Sequence, residues 1–287
     1  LAMANTGRIA EACNCELPLG EWKFLRFDGL REPPALMLRE LVERGVRQRY
    51  GNPPPPEALR RMNHELSVIE RLNFTEYFLL VNRIVEEAHS RGFFTVGRGS
   101  AANSIVSYAL RFTDVCPIRY NLFFERFLNP ERNSPPDIDI DFSWRERDEL
   151  LQWCFDFFGH DRVALISTIQ TLRTRQSIRE VAKAHGISER ETNAFTSLRE
   201  TGFRVEEDIH GTPRRDLRPA PRTHNLAEDE PWRTILGQAA RIAGFPRHLS
   251  IHCGGIIIAP RNVVDFVPLT RSAKGFVITQ MDMFSVE

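Results

Sequence analysis

Three aspartates stand at alternate positions of one short stretch, Pro135–Phe142, which reads Pro-Pro-Asp-Ile-Asp-Ile-Asp-Phe. Because successive side chains of a strand point to opposite sides, we expect Asp137, Asp139 and Asp141 to share one face, with apolar residues on the other. Neighbouring carboxylates disfavour one another's ionisation, and a divalent cation with oxygen ligands relieves that repulsion. The stretch therefore predicts a Mg²⁺ or Mn²⁺ site, the alternative being a charged strand at a sheet edge.

A second stretch that could do chemistry is Gly97-Arg98-Gly99-Ser100, between a predicted strand, Phe93–Val96, and a predicted helix, Ala101–Leu110. Glycine allows the backbone to approach a ligand closely, Ser100 can cap the helix, and free N–H groups beside the Arg98 guanidinium would attract an anion. The stretch predicts a phosphate site that a triphosphate would fit. No Gly-Lys-Ser or Gly-Lys-Thr follows, so it is not a Walker loop, and the alternative is an ordinary turn from strand to helix.

Two arginines between these stretches have two interpretations. Arg126 and Arg132 either face a phosphate group or pair with the adjacent Glu125 and Glu131. The aromatic residues around them are expected in the core.

A basic helix face is predicted further along the chain. Arg175, Arg179 and Lys183 are four residues apart within a predicted helix, Thr171–His185, so they line one face. A row of positive charge suits a nucleic-acid backbone, and a solvated surface face would give the same pattern.

Hydrophobic periodicity and helix breakers indicate the elements that would position these residues. Helices are predicted at Thr6–Cys15, Pro34–Tyr50, Glu57–Leu72, Thr75–Arg91, Trp144–Phe158, from Ile187 onwards and at Pro231–Ala243. Strands are predicted at Arg162–Ile169 and Ile256–Ala259, with Phe276–Gln280 as the hairpin partner of the latter, while Gly202–Asn225 is a predicted loop. This order of elements predicts an α/β (α+β) fold in which sheet strands flank a helical insert.

Composition narrows the class of protein. A chain of 287 residues with 42% apolar residues favours two domains, and its 38 basic and 38 acidic residues exclude a globally basic nucleic-acid binder. Five scattered cysteines indicate reduced thiols and a cytoplasmic protein. No apolar run is long enough to span a membrane, and no signal peptide is visible. The chain begins Leu-Ala-Met and stops within what reads as an unfinished unit, so an excised fragment is expected.

Five signatures, matching in order and spacing, resemble the bacterial DNA polymerase III alpha family over nearly the whole chain. They are Gly97–Ser100, Phe124–Arg132, Pro136–Phe142, His252–Pro260 and Thr279–Asp282. The resemblance implies a palm of the polymerase-beta nucleotidyltransferase type with a mixed sheet, formed by residues 1–170 and 249–287. A helical thumb, residues 171–248, would be inserted between them.

The resemblance also implies roles for individual residues. Asp139 and Asp141 correspond to the first two metal-binding catalytic aspartates, whereas Asp137 is a neighbour without a ligand role; the strand pattern alone gives all three equal standing. The Gly99-Ser100 turn corresponds to the segment that holds the phosphates of the incoming nucleotide. The implied reaction joins a primer 3′-hydroxyl to a deoxynucleoside triphosphate with two Mg²⁺ ions, for which Mn²⁺ can substitute. Primer–template DNA and other polymerase III subunits, including the sliding clamp, are the implied partners, with no membrane association.

Some features depart from the family pattern. The Gly97 turn lacks the usual preceding proline, and Cys253 stands where replicative members commonly have alanine, which hints at an error-prone branch. The family's third aspartate lies in a Lys-Phe-Asp segment beyond the position of Glu287, and Asp282 matches a noncatalytic residue. The 287-residue chain is therefore expected not to extend a primer.

The paired aspartates leave two alternative functions. The first is another Asp-x-Asp enzyme, such as a nuclease or a glycosyltransferase, and the second is a nonenzymatic DNA-binding module.

Overall fold

A computed structural model of the chain describes residues 2–13, 25, 32–129, 131, 136–197 and 229–286. The α-helices are α1 (Ala2–Ala12), α2 (Pro34–Tyr50), α3 (Pro56–Arg71), α4 (Thr75–Ser90), α5 (Ile105–Ala109), α6 (Arg147–Phe158), α7 (Thr174–Ala184), α8 (Glu189–Ser197), α9 (Trp232–Ile242) and α10 (Met283–Val286). The strands are β1 (Thr95–Arg98), β2 (Asp139–Phe142), β3 (Val163–Thr171), β4 (Pro246–Ile258), β5 (Leu269–Arg271) and β6 (Val277–Asp282). Helices combined with parallel and antiparallel strand pairs confirm the predicted α+β class.

The chain divides into two compact units. The first comprises Leu1–Ala164 and Ile256–Phe266, and the second comprises Leu165–Gly255 and Val267–Val286. The division of the chain into palm and thumb stays a prediction, because compactness alone does not assign a function to either unit.

The core of the first unit lies between helices α2, α3, α4 and α5. The ring of Phe78, on α4, is fully buried and packs against the rings of Phe112 and Phe127, with centroids 6.2 and 6.1 Å away. Ile138 and Ile140 contact this same core from the acidic stretch. One side of β2 is thereby fixed by apolar packing, which leaves its aspartates facing outward.

Most residues of a four-stranded sheet with the strand order β4-β3-β6-β5 belong to the second unit. Strand β6 pairs in parallel with β3 and antiparallel with β5. The predicted hairpin between the strand at Ile256–Ala259 and the strand at Phe276–Gln280 is therefore wrong. Because β3 and β5 border β6 on its two sides, β6 has no edge left for β4, and the short connection after Arg271 makes β5 its hairpin partner.

Helices α7, α8 and α9 form a separate apolar cluster in the second unit. At its centre the rings of Phe195 and Trp232 stack with centroids 3.7 Å apart. The predicted loop Gly202–Asn225 lies outside the described residues. None of the described helices has the length and apolar composition needed to cross a bilayer.

Candidate metal and phosphate site

The candidate site is built on the pairing of β1 with β2. The two strands are antiparallel, with Arg98 opposite Asp139 and Val96 opposite Asp141. Asp139 and Asp141 are exposed while Ile140 and Phe142 between and after them are partly buried, so the expected alternation of the two faces is confirmed. Asp137 is also exposed and lies just before the strand. The pairing brings the acidic stretch and the glycine-rich stretch, more than 35 residues apart in sequence, to one place.

Arg98 forms an ion pair with Asp141. Its Nε lies 2.6 Å from Asp141 Oδ2, and the two side chains are 59% and 52% exposed. The hydrogen bond and the charge of Asp141 raise the pKa of the Arg98 guanidinium above its usual value. Ion pairs exposed to this degree add little to stability. The significance of this pair is therefore positional: a cationic group already lies against one of the two candidate metal ligands.

Two glycines allow β1 and the following turn to come this close to their neighbours. A Cβ atom at Gly97 would overlap the carbonyl oxygen of Phe112 and lie 2.8 Å from its carbonyl carbon. Gly99 has a positive φ of 71°, a conformation that other residues rarely adopt, and a Cβ there would lie 3.7 Å from Asp139 Oδ2. The Asp139 carboxylate therefore lies beside the Gly99 turn.

The segment after Gly99 differs from the predicted helix Ala101–Leu110. Residues Gly99–Asn103 form a 3₁₀ turn, and the α-helix begins only at Ile105. Ser104 is extended and its Oγ accepts a hydrogen bond from the backbone N–H of Ser107, 3.1 Å away, so Ser104 and not Ser100 caps the helix. Ser100 remains beside Gly99 in the turn.

Tyr77, on α4, lies beside the acidic stretch, although no sequence motif marks it. Burial raises its pKa to about 12, and the charges of Asp137 and Asp139 act in the same direction, whereas a hydrogen bond with the backbone of Ile138 opposes them. Its hydroxyl therefore stays protonated beside two carboxylates at neutral pH. In sequence Tyr77 is one more aromatic residue of an amphipathic helix, and only the tertiary fold places it here.

Of the two arginines with two interpretations, Arg126 lies in the described part of the chain. Arg126 ends the 3₁₀ turn Phe124–Arg126 and is exposed, and no described carboxylate lies within ion-pair distance of it. Glu125, its expected alternative partner, lies 3.7 Å from His64 instead. Arg132 lies outside the described residues.

The predicted basic face is present on α7, in the second unit. Arg175, Arg179 and Lys183 are exposed, and Ile178 and Val181 are buried on the opposite side, as their spacing predicted. The helix begins at Thr174 and not at Thr171, because β3 continues through Thr171. Arg179 donates a hydrogen bond to Asn193 Oδ1 and lies 4.0 Å from Glu189.

The kind of metal ion that Asp139 and Asp141 could bind depends on how many further side-chain ligands lie close to them. Across the part of the chain that the structure describes, no group of three or more His, Cys, Asp or Glu side chains is arranged to hold a metal ion. Asp139 and Asp141 still fit Mg²⁺ in donor chemistry, since this ion is commonly bound by one or two carboxylates together with substrate phosphates. Asp282 accepts hydrogen bonds from the backbone N–H and Oγ of Ser285, at 3.1 and 2.7 Å, within the turn that starts α10.

Comparison with known proteins gives a family model and several relatives that match most of the chain. A family model described as the bacterial DNA polymerase III alpha NTPase domain matches residues 36–287. The DNA polymerase III subunit alpha of Bacillus subtilis (strain 168) is 37% identical over 100% of this chain and 25% of its own length. The error-prone DNA polymerase of Anaeromyxobacter sp. (strain K) is 40% identical over 86% of this chain and 21% of its own length. The DNA polymerase III subunit alpha of Thermus aquaticus is 34% identical over 99% of this chain and 28% of its own length. Proteins named DNA polymerase III subunit alpha and proteins named error-prone DNA polymerase are therefore both among the relatives.

Proposed function

Because the chain belongs to the bacterial DNA polymerase III alpha family, we propose that it forms the part of a DNA-directed DNA polymerase that binds the metal ions and the incoming deoxynucleoside triphosphate. The chain spans about a quarter of the length of the B. subtilis relative. That this chain takes part in the activity of a whole polymerase is therefore proposed as well. The observation that carries it is the pairing of β1 with β2, which brings Arg98 and Gly99 beside Asp141 and Asp139.

In this proposal Asp139 and Asp141 hold the metal ions, two Mg²⁺ or Mn²⁺. When bound, such ions lower the pKa of the primer 3′-hydroxyl and neutralise charge on the triphosphate. Arg98, Gly99 and Ser100 orient the triphosphate through the guanidinium and the backbone of the turn, with Arg126 and Arg132 as further phosphate contacts. Tyr77 stays neutral beside the acidic strand and adds no charge there.

The remaining parts of the proposal concern DNA and protein partners. Residues 1–170 and 249–287 would supply the palm, and residues 171–248 would supply the thumb, whose basic face on α7 follows the duplex backbone. Primer–template DNA and a deoxynucleoside triphosphate are the substrates. Contacts with a sliding clamp and with accessory subunits are also part of the proposal.

The Arg98→Gln variant tests the site. We expect it to weaken binding of Mg²⁺-dATP to the chain on a primer–template by about tenfold or more, because hydrogen bonds to charged groups contribute roughly 1.5–3 kcal/mol. Binding of Mn²⁺ alone should not weaken, because the change removes a positive charge 2.6 Å from Asp141. Isothermal titration of both ligands measures the two effects, and Arg44→Gln, an exposed arginine on α2, is the matched control.

Other outcomes of these titrations would favour the rival functions. Equal dATP affinity for Arg98→Gln and the unaltered chain would contradict the assigned phosphate site. Competition by a nucleotide sugar as strong as that by dATP would favour a glycosyltransferase, and cleavage of the DNA would favour a nuclease. Triphosphate binding that does not depend on metal would favour a nonenzymatic binding module.

A second prediction concerns the basic face of α7. Replacing Arg175, Arg179 and Lys183 with Gln should weaken duplex binding to a similar extent for every sequence, because phosphate contacts position a protein without reading bases. The slope of log affinity against log salt concentration should fall by about 0.9 for each lost contact, and so by up to ~3. Fluorescence anisotropy at several salt concentrations measures it. An unchanged slope would mean that this face is only solvated surface.

A further inference from the structure

Glu65 is a completely buried carboxylate on α3, away from the acidic strand. Burial raises its pKa, while hydrogen bonds from Ser104, the backbone and Arg61 act in the opposite direction. A buried charge is costly unless it is paired and hydrogen-bonded. The hydrogen-bond partners of Glu65 therefore show which segment of the chain its carboxylate holds in place.

Both oxygens of Glu65 are engaged by specific donors. Oε2 accepts hydrogen bonds from Ser104 Oγ, at 2.7 Å, and from the backbone N–H of Val106, at 3.2 Å. Oε1 accepts one from Arg61 Nε, at 2.9 Å. Two of these donors belong to the junction between the Gly99–Asn103 turn and α5, and Ser104 is the cap of that helix.

Arg61 extends the same network into the turn itself. Its Nη2 donates to the backbone oxygen of Asn103 at 2.6 Å, and the Asn103 side-chain amide donates to the backbone oxygen of Ser100 at 2.9 Å. A continuous series of contacts therefore runs from α3 to Ser100, the residue after Gly99. Each contact is made to the backbone or to a capping side chain of the segment that starts beside Asp139.

We propose that Glu65 and Arg61 are positioning residues that hold the Gly99–Asn103 turn in the conformation that binds the triphosphate; this inference rests on the proposed function. Replacing a buried ion pair by apolar residues is often neutral or stabilising, so stability alone gives no reason for this pair. Its directional bonds instead restrain the backbone from Ser100 to Val106. Neither side chain touches the substrate.

The Arg61→Gln variant tests this inference, because Arg61 is partly exposed and Glu65 keeps its hydrogen bonds from Ser104 Oγ and the Val106 N–H when the guanidinium is removed. We expect amide hydrogen exchange to become about tenfold faster in residues 99–106 and Mg²⁺-dATP affinity to fall by about tenfold, since each lost bond involves a charged donor. Exchange in α4 and the affinity for Mn²⁺ alone should stay within about twofold, because neither depends on the turn. Arg60→Gln, one residue away on the exposed side of α3, is the control and should change none of these values.

The variants also distinguish failure of this inference from failure of the proposed function. Unchanged exchange in residues 99–106 would overturn the positioning role, and so would equally faster exchange in α4, which indicates general destabilisation. Ser104→Ala, which removes one bond to Glu65, should reproduce a smaller loosening of the same segment, and no change there would likewise count against the network. If the unaltered chain binds no triphosphate, the proposed function is wrong, while the exchange of residues 99–106 still decides whether Arg61 holds the turn.

Discussion

Mn²⁺ binding to the chain should fall by about 100-fold when either Asp139 or Asp141 is replaced with Asn. Loss of even an outer-shell partner typically costs a site about 10- to 100-fold in metal affinity, so loss of a direct carboxylate ligand should reach the upper end of that range. Asn keeps the size of the side chain and removes its charge, so the β1–β2 pairing should persist. Titration of Mn²⁺, followed by its paramagnetic resonance signal, measures the affinity in each variant.

Asp137→Asn is the matched control for this experiment. Asp137 is exposed like the other two aspartates but lies outside β2, and the family resemblance gives it no ligand role. Its replacement should change Mn²⁺ affinity by no more than about threefold, the effect of a nearby charge in solvent. Equal losses in all three variants would instead mean that the acidic face attracts cations as a whole. Unchanged affinity in both Asp139→Asn and Asp141→Asn would rule out the assigned ligands.

Local patterns in the sequence predicted local structure well. The alternation of Asp and Ile predicted which face of β2 is exposed, and Pro34 marks the start of α2, since proline suits the first turn of a helix. The strand predicted at Phe93–Val96 is instead Thr95–Arg98, so Gly97 and Arg98, which were predicted in the turn, belong to the strand. Periodicity and capping chemistry act over a few residues, and so they can be read directly from the chain.

Features that depend on distant parts of the chain were missed or misplaced. Ser100 was predicted to cap the helix, whereas Ser104 caps it, and Ser104 also donates a hydrogen bond to Glu65 on α3. Tyr77 and Glu65 look like ordinary positions of amphipathic helices. Only the fold places Tyr77 beside the acidic stretch and Glu65 against Ser104 and Val106. The hairpin partner of β6 was wrong for a different reason, because the nearer strand Leu269–Arg271 was not predicted; only the parallel pairing of β6 with the distant β3 leaves no local signal.

The predicted roles of the site residues rest on the family resemblance, whereas the predicted helices and strands rest on local patterns in the chain. The spacing of Asp137, Asp139 and Asp141 indicates a cation site without ranking its ligands, and the ranking comes from the family resemblance. The structure adds the pairing of β1 with β2 and the ion pair between Arg98 and Asp141. The Arg98 guanidinium neutralises part of the charge on Asp141. If a metal ion and a triphosphate bound together, Asp141 would gain the metal ion as a partner and Arg98 would gain the phosphates.

Gly97→Ala should be the most damaging small change near the site. The added methyl group would overlap the Phe112 carbonyl oxygen, a backbone atom that cannot rotate away as a side chain can. We expect a loss of about 3 kcal/mol in the free energy of unfolding, the upper part of the range for overpacking. Because Gly97 pairs with Ile140, relief of the overlap would also shift β1 against β2 and weaken Mg²⁺-dATP binding.

Gly7→Ala separates this overlap from the general effect of replacing a glycine. Gly7 lies in α1, and a Cβ atom there meets nothing within 4 Å, so alanine should leave stability unchanged or raise it by up to about 1 kcal/mol. Urea unfolding followed by circular dichroism gives the stability of both variants, and titration with Mg²⁺-dATP gives the effect on the site. A Gly97→Ala chain as stable as the Gly7→Ala chain would show that the Phe112 backbone yields easily, and the close approach of β1 would then not be what holds Arg98 beside Asp141.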